Sequence, residues 1–307
     1  MENCDVLVVG AGAAGLSAAK TAYRCGCPSV WLVDTKPDPG GVLRQCAHHG
    51  FAHGQTGPDM IQQLLADFPS GIRYLPRTTV LSIHPQREAE LCGPGHDHAR
   101  IGFQQLVLAA GCYEIAPGEL LLGGTRPQGV YMAGQMQEMM NLEQRLPPGP
   151  VVILGSGDLG LIMAAHLAAH RIPVTLVEKR EVCGGLKRNQ TCLNNPWVTL
   201  YCQSSIQELC GDPLLTGVVL TDGRHLPCRT LLIAVGLRPE RSLIESMACP
   251  SWLHLAGNCR AVQSMVEAVM ADGEKTGLES YRRWKADHDG SAWESDYLLK
   301  GFGDGTV

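Results

Sequence analysis

Residues 5–34 read DVLVVGAGAAGLSAAKTAYRCGCPSVWLVD. An apolar run at 6–9 meets the turn Gly10-Ala11-Gly12-Ala13-Ala14-Gly15, a stretch of small residues follows, and a second apolar run at 30–33 ends on Asp34. The order is strand, glycine turn, helix, strand, acid. The three glycines do different things. One makes the tight turn, one lets a pyrophosphate approach the backbone, and one lets helix and strand pack closely. The free N–H groups at the helix start then face the phosphates. Asp34, nineteen residues after Gly15, is placed to bond a ribose hydroxyl. A bare GxGxxG is weak, but this context makes it a dinucleotide-binding signature.

The pattern recurs. Residues 150–178, PVVILGSGDLGLIMAAHLAAHRIPVTLVE, carry Gly155, Gly157 and Gly160, and the following strand ends on Glu178. Two such units imply two dinucleotides, one held and one exchanged. Each unit is followed by a later apolar run, FQQLVLAAG ending at Gly111 and TLLIAVGLRP ending at Pro239. The last informative stretch, residues 253–277, reads as a short strand, a turn at Gly257-Asn258 and a helix.

This order resembles the two-dinucleotide flavoproteins of the pyridine-nucleotide–disulfide oxidoreductase superfamily, over roughly residues 3–280. Within it, GGVLRQCAHHGF (40–51), GTRPQGVYMAGQMQ (124–137) and GSGDLGLIM (155–163) are similar to a narrower group. That group comprises FAD/NAD(P)-dependent oxidoreductases found beside glycerol-3-phosphate-dehydrogenase-like proteins, and the FAD-binding subunits of cyanide synthase, opine oxidase and hydroxyproline dehydrogenase complexes. The resemblance implies an α/β fold of two Rossmann-like three-layer (ββα-type) domains, with the NAD(P) domain inserted in the FAD domain. The expected boundaries are 1–148 plus 249–285 for FAD, 149–248 for NAD(P)H, and a peripheral tail at 286–307. It implies FAD on Gly10, Gly12, Ala13, Ala14, Gly15, Asp34, Gly40, Gly41, Val80, Ala110, Gly111, Gly257 and Asn258. NAD(P)H falls to Gly155, Gly157, Asp158, Leu159, Gly160, Glu178 and Gly236. The family's Gly-Asp is Gly257-Asn258 here, uncharged, and no C-terminal interface domain is expected after the closing helix.

Composition fits a soluble globular protein, with 45% hydrophobic and 18% charged residues. A net charge of −5 gives no basic footprint for nucleic acid or an acidic membrane. No apolar run reaches the roughly 18 residues of a membrane span. The N-terminus lacks the positive leader of a signal peptide. The thirteen cysteines form no Cys-x-x-Cys and no regular framework, which suggests a reduced, cytoplasmic chain.

Residues 39–54, PGGVLRQCAHHGFAHG, collect Cys46, His48, His49 and His53. In the resembled architecture this segment follows the paired glycines and approaches the flavin ring. Three active readings stand beside that of a buried thiol with surface histidines. Cys46, His48 and His49 line the flavin pocket; Cys46 is a single redox thiol activated by an imidazolium; or Cys46, His49 and His53 hold a metal, against which Gly50 and Gly54 argue by interrupting any helix. The expected metal count is none. Cys92, His96 and His98 sit in a glycine- and proline-rich hairpin tip, Cys25 and Cys27 pack at a helix end, and Cys183 precedes a Gly-Gly turn.

The expected function is an FAD-dependent oxidoreductase that moves electrons between NAD(P)H and an acceptor or substrate without a dithiol. The expected partner is a subunit of an amino-acid, amine or glycerol-phosphate dehydrogenase complex, and an oligomer is compatible with it. The alternatives are a single-cysteine reductase and a non-catalytic flavin-binding relay or structural subunit. Glu178 favours NADH, because an acid there repels a 2′-phosphate, while Lys179 and Arg180 could accept one.

Overall fold

The computed structural model describes residues 1–289. Its contacts group into two compact units. The first holds Met1–Gly41, Leu64–Ala110 and the residues from Arg241 on; the second holds Val42–Gln63 and Gly111–Glu240.

The first unit starts with β1 (Glu2–Val9), α1 (Ala13–Arg24) and β2 (Val30–Val33). After α2 (Gly57–Ala66) come β3 (Arg73–Leu75), β4 (Thr79–His84), β5 (Glu88–Gly93) and β6 (His96–Leu108). β1 pairs in parallel with β2, Val6 opposite Val30, and with β6, Val9 opposite Leu108. Residues 6–9 are all buried, as expected of a strand covered on both faces. The early part of β6 turns back on β5, which makes the expected hairpin with residues 94–95 at its tip.

The second unit contains β7 (Cys112–Glu114), β8 (Gly123–Gly124), β9 (Val130–Met132), α3 (Ala133–Asn141), β10 (Val151–Leu154), α4 (Asp158–Ala169), β11 (Val174–Val177), α5 (Lys187–Gln190) and β12 (Val198–Tyr201). It continues through β13 (Ile206–Cys210), β14 (Gly217–Leu220), β15 (His225–Pro227), β16 (Thr230–Ile233) and β17 (Leu237–Pro239). The parallel sheet has the order β12-β11-β10-β16-β9. Along β10 the side chains alternate: Val151 and Ile153 pack against α3 and α4, while Val152 and Leu154 pack against the antiparallel sheet β15-β14-β13-β8. Helices, parallel sheet and antiparallel sheet are therefore three layers.

The chain returns to the first unit through β18 (Leu253–Leu255) and α6 (Val266–Asp289). β18 lies beside β6, Leu255 opposite Leu108. α6 packs directly on α1: a Cβ on Gly273 or Gly277 would stand 2.3 Å from the carbonyl oxygen of Ala14 or Ala18. The fold is thus two Rossmann-like α/β units, and their parallel strands run β3-β2-β1-β6-β18 and β12-β11-β10-β16-β9.

By their contacts Val42–Gln63 falls with the second unit, and the units part at Gly111 and Glu240. The reason is strand pairing: β9 completes the second parallel sheet, Tyr131 opposite Leu232, and β7 pairs with β17. Residues 286–289 continue α6, and the remainder of the expected tail lies outside the described residues. No helix among the described residues is long and apolar enough to cross a membrane.

Candidate functional site

In the first unit, β1 delivers the chain to Gly10, whose φ of 103° suits glycine alone, and a Cβ there would lie 2.4 Å from the Ala109 carbonyl oxygen. A Cβ on Gly15 would lie 1.8 Å from the Gly10 oxygen, so Gly15 brings α1 against the turn. Gly12 is different: a Cβ there meets nothing within 4 Å. The first turn of α1 has no acidic residue and Gly12 supplies no side-chain cap. Open space in front of bare helix N–H groups is the shape and polarity a pyrophosphate needs.

Asp34 braces this loop. Its Oδ2 accepts from Ala11 N–H at 2.6 Å and its Oδ1 from Lys36 N–H at 2.7 Å. Gly40 N–H donates to Ala11 O at 2.8 Å, and Gly41, at φ 53°, passes so near that a Cβ would stand 3.0 Å from Gly12 Cα. Gly257, at φ 64°, packs on Ala14 from the other side, and Asn258 Oδ1 accepts from Gln263 N–H at 2.9 Å. Gly10, Gly12, Ala13, Ala14, Gly15, Asp34, Gly40, Gly41 and Gly257 thus converge on one cradle. Val80 is buried in β4, and Ala110 follows β6.

The second unit repeats the arrangement. A Cβ on Gly155, at φ 103°, would meet Ala234 O at 2.3 Å, one on Gly160 would meet Gly155 O at 2.3 Å, and one on Gly157 would meet nothing within 4 Å. Glu178 is buried. Its Oε2 accepts from Ser156 N–H and Oγ–H at 3.0 and 2.5 Å, and its Oε1 from Arg180 N–H and Nε–H, both at 2.9 Å. Burial opposes its ionisation, but the hydrogen bonds from Arg180 and Ser156 prevail and hold its pKa at about 2. Asp158 Oδ1 accepts from Leu186 N–H and Asn189 Nδ2–H, which pins the start of α5 to α4. Leu159 packs on the helix-side core, and Gly236 turns at φ 149° beside Ile115.

Two carboxylates that the sequence pattern does not announce hold matching turns. Asp272 Oδ2 accepts from Gly257 N–H at 2.6 Å, and Glu114 accepts from Gly134 N–H at 2.8 and 2.9 Å. Each glycine follows a fifth sheet strand and an alanine. Burial raises the pKa of Glu114 against the pull of those N–H groups.

The Cys46 segment is two short 3₁₀ turns, Gly41–Gln45 and Ala52–Gly54, not a helix. Gln45 is tied to α3 by its Nε2–H to Gly134 O at 3.0 Å and by Asn141 Nδ2–H to Gln45 O at 2.6 Å. The Cys46 thiol is buried and donates to Val42 O at 3.3 Å, and burial lifts its pKa to about 11. It is a thiol, not a thiolate, at neutral pH. His48 and His49 line a cavity of about 550 Å³ with residues of α3, α4 and α5; Cys46 is not part of the lining. His49 Nδ1 contacts Gly54 O at 2.9 Å. Among the described residues no group of three or more His, Cys, Asp or Glu is placed to hold a metal, and all thirteen cysteines are free.

Two like glycine turns are each closed by a carboxylate at the end of the next strand. The profile of the pyridine nucleotide-disulphide oxidoreductases matches residues 4–276, and the chain belongs to that family. By its description the family is one of oxidoreductases that use a pyridine nucleotide. It is 30% identical to an opine oxidase subunit of Agrobacterium tumefaciens over 279 residues, 80% of this chain and 54% of that one. It is 31% identical to the sarcosine oxidase alpha subunit of a Corynebacterium over 194 residues, 58% of this chain and 20% of that one. The chain therefore spans about half of the first relative and a fifth of the second. The crystal structure of Lactococcus lactis thioredoxin reductase superposes with a TM-score of 0.77 at 16% identity, covering 92% of this chain and 99% of that one, and so shares the fold.

Proposed function

We propose that the first cradle holds FAD and the second NAD(P)H, and that the chain serves as the flavoprotein subunit of an amine, amino-acid or glycerol-phosphate dehydrogenase or oxidase complex. The observation that carries this is the paired cradles, in which Gly12 and Gly157 alone of their triplets face open space. Bound flavin supplies two-electron chemistry between the nicotinamide and a second partner. The residues of this chain bind and orient: Gly12 and Gly157 admit the phosphates, Asp34 and Glu178 fix the loops beside the riboses. Ser156 and Arg180 hold Glu178 ionised, and an acid at the end of this strand supports NADH.

Dithiol exchange needs an attacking thiolate and a resolving thiol. The sequence has no Cys-x-x-Cys, and the buried, protonated Cys46 speaks against the single-thiol alternative. Electrons then leave without protein sulfur, to a small acceptor or a partner subunit. The relatives that are themselves named as subunits support the latter. Thirteen free cysteines support a reducing, cytoplasmic setting. The test is steady-state turnover of the isolated chain with NADH and an artificial acceptor, then with amine, amino-acid or glycerol-phosphate donors. The expected result is NADH turnover alone. Donor-dependent turnover by the isolated chain would refute the subunit reading, and no turnover with either would favour the relay subunit.

A further inference from the structure

The cavity in the second unit has a chemistry of its own. Its wall includes His48, His49, His166 and Arg188, and none of the described residues lining it is a carboxylate. His48 Nδ1 is buried with no hydrogen-bond partner among the described residues. Buried polar atoms ordinarily have one. The cavity is also apart from the glycine cradle: it follows α4 from Leu161 to His166, and Gly155, Gly157, Gly160 and Glu178 do not line it.

We propose that this cavity binds a small organic anion, a carboxylate or a phosphate monoester, at a site separate from the glycine cradle of its own unit. This goes beyond the redox reading and does not depend on it. About 550 Å³ is within the range of metabolite pockets. The lining combines the permanent cation of Arg188 with the imidazoles of His48, His49 and His166.

The charge balance agrees. Burial lowers the basicity of His48, and Arg188, His49 and His166 lower it further; burial and then His170 lower that of His166. Asp59, outside the lining, interacts with His49. In the free protein His48 and His166 are therefore held toward the neutral form. An anion seated among these groups reverses the repulsion, so binding takes up protons and strengthens as pH falls.

The experiment is calorimetric titration of the purified protein with inorganic phosphate, glycerol 3-phosphate and succinate, at pH 6 and pH 8, in buffers of differing protonation enthalpy. At least one probe is expected to bind, with affinity rising by up to about tenfold per pH unit for each proton taken up. Binding of the phosphates alone marks a phosphoester site, and of succinate alone a carboxylate site. Arg188→Gln and His166→Gln should each weaken it by roughly tenfold or more. Both variants should keep the wild-type NADH affinity, which shows that they fold. No binding by any probe, unchanged binding in both variants, or competition by NAD⁺ overturns the proposal.

Discussion

Replacing Gly157 by alanine should abolish tight NADH binding without harming the fold, whereas Gly155→Ala should harm the fold first. At Gly157 the backbone is extended, φ −67°, and a Cβ meets nothing within 4 Å. Two small effects nearly cancel there. Losing glycine at a helix N-cap costs about 0.5–1 kcal/mol, and restricting the unfolded chain returns about 0.4–1 kcal/mol. The added methyl, however, occupies the space the pyrophosphate must enter, so NADH affinity should fall at least about tenfold, or 1.4 kcal/mol. At Gly155 the φ of 103° is strained for alanine and the Cβ would stand 2.3 Å from a backbone oxygen. Destabilisation of about 2–3 kcal/mol is expected. Thermal unfolding together with NADH titration of both variants separates the cases. Normal NADH affinity in folded Gly157→Ala would refute the assignment of that space to the phosphates.

Further outcomes follow from individual side chains. Cys46→Ser should leave flavin reduction by NADH within about twofold of wild type, because hydride transfer needs no thiol; stopped-flow reduction checks this, and loss of acceptor turnover alone would revive the single-thiol reading. His254 is packed against Gln105, 3.1 Å away, and burial followed by Arg260 and Arg283 depresses its pKa to about 4. Its folded pKa is below the unfolded value, so its contribution is full above about pH 6.5 and is lost as pH falls toward 4. Denaturant titrations across that window should show the loss, and His254→Gln should flatten it. Finally, NADH-reduced protein mixed anaerobically with small disulfides should release no stoichiometric thiol.

The nucleotide units were legible because a glycine turn between a buried strand and a small-residue helix is a local pattern. The positive φ of Gly10 and Gly155 and the close approach of Gly15 and Gly160 to those turns are set within a single strand–turn–helix, while a Cβ on Gly10 or Gly155 would also meet the distant Ala109 or Ala234. What depends on distant segments was not legible. β9 is three half-buried residues with no alternation, and only its pairing with β16, about a hundred residues on, assigns it to the second sheet. The cavity draws on four segments, and His166 and Arg188 carry no motif. Asp272 and Glu114 are ordinary acids in sequence, and their roles arise from the Gly257 and Gly134 N–H groups that reach them in the fold. Cys46 looked reactive by its neighbours, but its burial sets its chemistry.

The two-cofactor reading is tested most directly by adding NADH anaerobically to the purified protein and following the visible flavin spectrum. Stoichiometric FAD released on denaturation, and bleaching by about one equivalent of NADH that Gly157→Ala slows at limiting nucleotide, is the predicted result. A colourless protein that takes up no FAD when it is supplied, or a bound flavin that NADH and NADPH both fail to reduce, would contradict it.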